Sequence, residues 1–318
     1  MNRHVLLFVL LFVTAQFALA ADYPTKPIRL ISSMPAGGSV DLVARAVAQS
    51  IGQGVGQQVI VDNRGGANGI IGTELAARAA PDGYTFVLVP TGHAVNPALR
   101  KLSYHPINDF TPVSLIASGQ YILSVHPAVT AKSVNELITF VKTRPGKVFY
   151  ASSGSGTQGH LAAELFKSLA KIEMSHVPYK GGSQAMTDLI SGQVQVVFNN
   201  LATSLPLVKS GRINAIASSG RRRSPLAAYL PTVAESGLPG FEATVWYALL
   251  APARTPAPIV SRIHQQAAKG LSEGGLGDKL ESSGYEVVVS TPSELSDYLK
   301  SEIVKWTRVV KVANIQVE

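Results

Sequence analysis

Apolar positions along the chain follow two periodicities that together predict a mixed α/β protein. Short β-branched runs bounded by proline or glycine, such as residues 27–32, predict strands. The segment after that run places apolar residues three or four positions apart between Val40 and Ile51, which predicts an amphipathic helix. Strand, polar turn and helix recur in this order along the chain, as is typical of α/β folds.

A glycine-rich turn, SSMPAGGSVDLVAR at residues 32–45, connects the first strand to the first helix. Its glycines leave no Cβ between the backbone and a ligand, and the first helical amides have no acceptor within the helix. Such a turn can hold an anion, although a plain strand-to-helix connection fits the same residues equally well. Asp41 in the first helical turn is predicted to pair with Arg45. We therefore expect an anion to bind before Ser39, on backbone N–H groups.

A second strand, glycine turn and helix, YASSGSGTQGHLAAELF at residues 150–166, predicts a second lobe. Two such units far apart in sequence indicate two facing lobes that each offer helix N termini to one cleft. We expect lobe 1 to comprise residues 22–122 and 236–318, and lobe 2 to comprise residues 123–235.

Two features near the C terminus predict a structural helix rather than part of a ligand-binding site. Thr291 and Glu294 match a capping box that opens the last helix. Trp306 continues the apolar stripe of that helix, so we predict that it is buried.

The leader and the composition set the expected location of the protein. Arg3 and His4 precede an apolar run that ends in small residues at Ala20, which predicts a cleaved signal peptide at residues 1–20 and export to the periplasm. We also expect a monomer. No cysteine is present, so neither a disulfide nor a lipidated thiol is expected. The net charge of +8 favours anionic ligands. The basic cluster at 221–223 lacks the aromatic or helical context of a nucleic-acid site, and none is expected.

Sequence signatures of catalysis and cofactor binding are mostly absent. Gly154 to Gly159 matches GxGxxG, but the acidic residue expected about 20 positions later is missing. Histidine spacing offers no metal-binding pair, and His160 is better explained as a packed or capping residue. Ser153 and Ser155 lie on a glycine turn without completing GxSxG, so a secreted serine hydrolase stays an alternative. We expect no cofactor, no metal and no catalytic residue.

Several motifs in a fixed order resemble those of the Bug-type solute-binding proteins of tripartite tricarboxylate transporters, from about Tyr23 to near the C terminus. The motifs are PAGGSVDLVAR, VDNRGGANGIIG with PDGYT, YHPINDFTPVS, YASSGSGTQGHLAAELF, HVPYKGGSQAMTDLISGQVQVVF and LPTVAESGLPGF. The resemblance implies a type II periplasmic-binding fold with a ligand cleft between two α/β lobes. It also implies a small organic carboxylate held largely by backbone amides and waters, and delivery to membrane permease subunits.

The resemblance also implies which positions bind the ligand. They fall on the first-lobe loop, on a middle loop, on the second-lobe loop and on two further cleft positions. These residues are Met34, Pro35, Ala36, Gly37, Gly38, Ser39, Thr91, Gly92, Ser153, Gly154, Ser155, Gly156, Thr157, Tyr179 and Asn199.

Two departures from the family pattern bear on the ligand. Met34 stands where an aromatic residue is common. Asn199 replaces a frequent aspartate and so removes a charge that would hold an ammonium group, which favours a simple mono- or dicarboxylate over an amino acid. A sensor subunit for a membrane kinase stays open as an alternative output.

Overall fold

The computed structural model describes residues 23–179, 181–273 and 275–315 of the chain. The predicted signal peptide, residues 1–20, lies outside these ranges. Within them, helices flank two sheets, which confirms the predicted two-lobed α/β class.

Strands and helices alternate along most of the described chain. The strands are β1 (Ile28–Ser32), β2 (Val59–Asn63), β3 (Thr85–Pro90), β4 (Phe110–Gly119), β5 (Tyr121–Val125), β6 (Phe149–Ser152), β7 (Ser175–Pro178), β8 (Val196–Asn200), β9 (Asn214–Ser218), β10 (Val245–Pro252) and β11 (Tyr285–Val287). The helices are α1 (Ser39–Val55), α2 (Ile70–Ala77), α3 (Gly92–Leu99), α4 (Val134–Lys142), α5 (Gln158–Ala170), α6 (Gly182–Ile190), α7 (Leu201–Lys209), α8 (Ala257–Glu273), α9 (Leu276–Ser282) and α10 (Pro292–Val312).

Each sheet combines three parallel strands with antiparallel ones. The six-stranded sheet has the order β11-β4-β10-β3-β1-β2, and the five-stranded sheet has the order β7-β6-β8-β5-β9. In the first, β1 is parallel to β2 and β3, and β10 is antiparallel to β3 and β4. In the second, β6 is parallel to β7 and β8, and β5 is antiparallel to β8 and β9. The parallel strands of each sheet therefore end at one edge, where open α/β sheets place ligands.

The chain crosses between the sheets twice. It leaves the first sheet at Gly119 and enters the second at Tyr121, and it returns between Ser218 and Val245. Tyr121 packs against the apolar cores on both sides of this crossing, which makes it a hinge position. The predicted lobe limits fall close to the two crossings and stay a prediction.

Helix α1 forms because its apolar stripe meets the first sheet. Val43 and Val47 are fully buried, and Val40 and Ile51 are almost so. Gly56 then ends the helix in the left-handed conformation, which glycine adopts without steric cost. This packing fixes where the N terminus of α1 points.

The last helix, α10, is attached to the centre of the first sheet by a buried carboxylate. Its capping box at Thr291 is present, and Trp306 is fully buried, so both predictions are confirmed. Glu302 Oε2 accepts the indole N–H of Trp306 at 2.8 Å and that of Trp246 on β10 at 2.7 Å. Glu302 is only 3% exposed and also pairs with Lys305.

Candidate functional site

A cleft of about 820 Å³ lies between the two lobes. Lobe 1 lines it with residues 37–39, at the start of α1, and lobe 2 lines it with residues 182–183, at the start of α6, and residues 199–200, just before α7. Three helix N termini therefore face one cavity. Each directs the positive end of its helix dipole toward the cavity, so together they attract an anion. At α7 the Leu201 N–H already donates to Gln120 O at 2.9 Å and the Thr203 N–H to Asn200 Oδ1 at 3.4 Å, so this helix contributes mainly through its dipole.

Asp41 holds the first glycine turn in place. Its Oδ2 accepts the Gly37 N–H and the Arg45 Nε–H, both at 3.0 Å, and its Oδ1 accepts from Asn63 Nδ2 at 3.0 Å. Burial alone would raise the pKa of Asp41, but these hydrogen bonds hold it below its usual value. The predicted Asp41–Arg45 pair is confirmed. Because no side chain caps α1, the amides of its first turn remain for a ligand once the Gly37 amide is used by Asp41.

The second-lobe loop, residues 153–157, is organised in the same way. Its Gly156 N–H donates to Nδ1 of His160 at 3.0 Å, and Thr157 Oγ1 donates to Gly154 O at 2.7 Å. In both lobes the third residue of the helix accepts the N–H of a glycine just before the helix. The acceptor is a carboxylate in lobe 1 and an imidazole in lobe 2.

The start of α5 lies against the hinge rather than against the cavity wall. Gln158 Nε2 donates to Thr244 O at 3.0 Å, on the returning chain. In place of residues 153–157, the third glycine turn, at the start of α6, supplies the second-lobe wall opposite α1.

The structure brings together only some of the ligand residues predicted from the sequence. Gly37, Gly38, Ser39 and Asn199 line the cavity. Thr91 is buried and its Oγ1 accepts the Trp246 N–H at 3.0 Å. The predicted residues that lie outside the cavity lining are Met34, Pro35, Ala36, Thr91, Gly92, Ser153, Gly154, Ser155, Gly156, Thr157 and Tyr179.

Sequence reasoning missed a cluster of tyrosines beside the hinge. Tyr121, Tyr247 and Tyr285 all line the cavity, and the rings of the last two meet edge to face with centroids 5.4 Å apart. Asn200 Nδ2 reaches across the lobes to the Tyr285 hydroxyl at 3.5 Å. Burial raises the pKa of Tyr121 and Tyr247 above the ordinary value, so their hydroxyls stay protonated and can donate. All three lie in strands, where the apolar pattern predicts core positions, so no sequence signal marked them.

No described residue that lines the cavity carries a charged side chain. The polar groups are backbone amides, hydroxyls and side-chain amides, and Leu42, Met186 and Leu207 add apolar surface. An anion would therefore be held by helix N termini and neutral donors.

A second depression of similar volume lies between α5 and α10 and is a weaker candidate. Its charged groups are Asp297, Lys300, Lys305 and Arg308, and the two lysines pair with Asp297 and Glu302. It contains no helix N terminus. The cleft between the lobes is therefore the candidate site.

Two stacked histidines lie beneath the second-lobe loop. The rings of His160 and His176 are nearly parallel, with centroids 4.0 Å apart. Nε2 of His176 lies 2.7 Å from Ser152 Oγ. Ser152 is only 1% exposed, so a substrate cannot reach the hydroxyl that His176 contacts. The two serines considered as nucleophiles in the sequence, Ser153 and Ser155, are different residues.

Acidification should destabilise the protein through this histidine pair. Burial lowers the pKa of both His160 and His176 to about 4, helped by Lys167 at both and by the neighbouring His160 at His176. In the unfolded chain a histidine titrates near 6.5, so below that pH the unfolded state binds more protons. The stabilisation is complete above about pH 6.5 and is lost as the pH falls through about 4, by up to ~1.4 kcal/mol per pH unit for each proton.

Thermal unfolding measured between pH 8 and pH 4.5 tests this expectation. The melting temperature should be nearly constant above pH 7 and should fall below pH 6.5, less steeply in His176→Gln than in the parent. His105→Gln, at an exposed histidine, should keep the parent slope. Equal slopes in the parent and in His176→Gln would contradict the assignment.

Neither a metal centre nor a membrane span is found in the described part of the chain. No cluster of three or more histidine, aspartate or glutamate side chains there is arranged to hold a metal ion. Each helix described is too short or too polar to cross a bilayer.

Comparison with known proteins gives consistent matches over nearly the whole chain. Residues 43–315 match the family model described as "Tripartite tricarboxylate transporter family receptor". The chain is 33% identical over 317 residues to "Protein BugT" of Bordetella pertussis, covering 98% of this chain and 97% of that protein.

Solved structures agree with these matches. One, "R. palustris Rpa4515 with adipate", superposes with a TM-score of 0.81 at 35% identity and covers 92% of this chain and 99% of its own. Another, "MatC (Rpa3494) from Rhodopseudomonas palustris with bound malate", gives a TM-score of 0.77 at 29% identity, with coverage of 91% and 100%.

Proposed function

Because the chain belongs to the tripartite tricarboxylate transporter receptor family, we propose that it captures a small organic carboxylate between its lobes and delivers it to a tripartite membrane transporter. Membership confirms the resemblance inferred from the sequence motifs. It also confirms the expectation of a solute-binding protein rather than an enzyme, so the hydrolase alternative is set aside.

One observation carries this proposal: the N termini of α1, α6 and α7 line the same cleft, and no charged side chain of the described residues competes there. A carboxylate bound between residues 37–39 and residues 182–183 accepts hydrogen bonds from both lobes. Since those bonds form only when both lobes reach the ligand, binding favours the closed state. The closed shape is then what a membrane partner distinguishes from the open one.

The similar solved structures support a carboxylate as the ligand. Their descriptions name adipate and malate, which are dicarboxylates without an amino group. The ligand set that we propose combines the predicted residues that line the cavity, Gly37, Gly38, Ser39 and Asn199, with Tyr121, Tyr247, Tyr285 and Ser183. Thr91 would then act mainly by holding β10 through the Trp246 N–H.

The proposed site of action is the periplasm, reached through a signal peptide cleaved after Ala20. The apolar leader and the membership in this receptor family support that location. Mass spectrometry of the exported protein should find Ala21 as its first residue.

A thermal-shift screen of the mature chain against mono-, di- and tricarboxylates tests the binding proposal. An acid present at 100 times its dissociation constant should add about 2.7 kcal/mol of stability. Small-angle scattering with the best acid should give a smaller radius of gyration than the free protein. No stabilisation by any acid across the panel would contradict the proposal.

Uptake by membrane vesicles tests delivery separately from binding. Vesicles that contain the cognate permease subunits should accumulate the acid only when the binding protein is added. Binding without stimulated uptake would point to the sensor output.

A further inference from the structure

An open groove of about 840 Å³ runs between α5, which packs on the second sheet, and α10, which packs on the first. It is the second depression described above, and its lining includes the apolar side chains of Leu165 and Val309. On α10 it also exposes two valines to water, because Val304 is 71% exposed and Val312 is 62% exposed. Apolar surface that remains exposed beside a groove is typical of an interaction site.

Arg308 supplies an uncompensated positive charge in this groove. It is exposed and lies four residues from each of the two valines, so the three side chains form one row along α10. The two lysines of the groove have carboxylate partners, Asp297 and Glu302, whereas Arg308 makes no ion pair with any residue that the structure describes. The complementary surface is therefore a peptide segment that carries a carboxylate between apolar side chains.

Strand β10 separates this groove from the ligand cleft. Val245 and Tyr247 line the cleft, whereas the Trp246 side chain between them donates to Glu302 of α10. Because successive side chains of a strand point to opposite faces, α10 lies on the face of β10 that is turned away from the cleft. β10 begins where the chain returns from the second sheet, so the hinge lies between the cleft and the groove. A rotation of the lobes that narrows the cleft should widen the groove.

Resting on the proposed function, we propose that the groove between α5 and α10 is the docking surface for an acidic, apolar segment of the membrane permease, and that it accepts this segment when the cleft has closed on its ligand. A segment that binds the wide groove better than the narrow one favours the closed state. By the same linkage, a bound acid strengthens docking. The permease thus responds to occupancy without contacting the acid.

Uptake by vesicles that contain the cognate permease subunits tests the docking surface with the full mature chain. Arg308→Glu and Val304→Asp should each raise the concentration of binding protein at half-maximal uptake about tenfold, because each places a carboxylate against the acidic segment. Added salt should raise this concentration for the parent, and less so for Arg308→Glu. Both residues are exposed and lie outside the cleft, so acid affinity by calorimetry and the melting temperature should match those of the parent.

The matched control is Arg212→Glu, which makes the same charge change at another exposed arginine. Arg212 lies between α7 and β9 and lines neither the cleft nor the groove. This variant should keep the half-maximal concentration of the parent.

Spin labels test the coupling between the cleft and the groove. The chain has no cysteine, so Leu169→Cys combined with Val304→Cys places two labels across the groove, one on α5 and one on α10. The distance between the labels should lengthen when the best acid from the thermal-shift screen is added. The control pair, Lys269→Cys with Val304→Cys, lies within lobe 1 and should keep its distance.

The outcomes separate this inference from the function on which it rests. If both groove variants stay within about threefold of the parent while the parent drives uptake, or if the acid leaves the label distance across the groove unchanged, the inference is wrong while delivery stands. Equal binding of the parent to phosphatidylglycerol vesicles without permease would assign the groove to lipid and overturn the inference. A dimer of the parent that Arg308→Glu abolishes would assign it to a second copy, with the same result. If the parent stimulates no uptake, delivery itself fails and the inference fails with it.

Discussion

Replacing Ser39 by aspartate should lower the affinity for carboxylates more than 100-fold and leave the melting temperature of the free protein essentially unchanged. Ser39 is the first residue of α1, is exposed and lines the cleft. A new carboxylate about 4 Å from a bound carboxylate costs about 4 kcal/mol at the effective dielectric constant of a protein surface. The same charge at a helix N terminus is favourable for folding, so the loss should be confined to binding.

Calorimetric titration with the best acid from the screen measures the affinity of Ser39→Asp, and thermal unfolding measures its stability. The control is Ser293→Asp, which adds the same charge in the first turn of α10, away from the cleft. An affinity of Ser39→Asp within tenfold of the parent would mean that the N terminus of α1 does not contact the ligand.

Removing the carboxylate of Glu302 should lower the free energy of unfolding by about 3–6 kcal/mol. Glu302→Ala leaves the indole N–H groups of Trp246 and Trp306 without their shared acceptor, in a site where both rings are fully buried. Each unsatisfied buried donor costs roughly 1–3 kcal/mol, and the deleted side chain leaves a cavity as well. Because the two indoles belong to β10 and α10, the loss should loosen the C-terminal helix from the sheet.

Differential scanning calorimetry of the parent, Glu302→Ala and Glu302→Gln distinguishes the lost acceptor from the lost charge. The glutamine keeps an oxygen that accepts from an indole, so its melting temperature should lie between the other two. Equal destabilisation by glutamine and alanine would show that the charge, through Lys305, matters more than the shared hydrogen bonds.

Local patterns in the sequence were enough to predict most elements of the fold. The helical stripes of α1 and α10 depend on residues a few positions apart, and the capping box at Thr291 is read from four consecutive residues. The signal for a cleft was also local, because glycine turns that follow strands mark helix N termini. These features are determined by short-range chemistry.

What remained hidden depends on contacts between distant segments. No pattern shows that the turn at residues 182–183 faces α1 more directly than the turn at residues 153–157 does. The use of the Gly37 amide by Asp41 is a local contact, but it depends on a loop geometry that spacing alone does not give. Tyr285 packs on Tyr247 from another strand, but in the sequence it cannot be distinguished from an ordinary core tyrosine.

The position of β10 has a consequence for how the polypeptide matures. This strand lies between β3 and β4, both of which precede it by more than a hundred residues in the chain. Until the chain extends past Pro252, β3 keeps one unpaired edge and β4 keeps two, because its other neighbour, β11, comes later still. By then the other sheet already has all its strands. The first lobe must therefore assemble late and through contacts between distant segments, which form slowly. Until then the incomplete chain needs protection from edge-to-edge association of its strands.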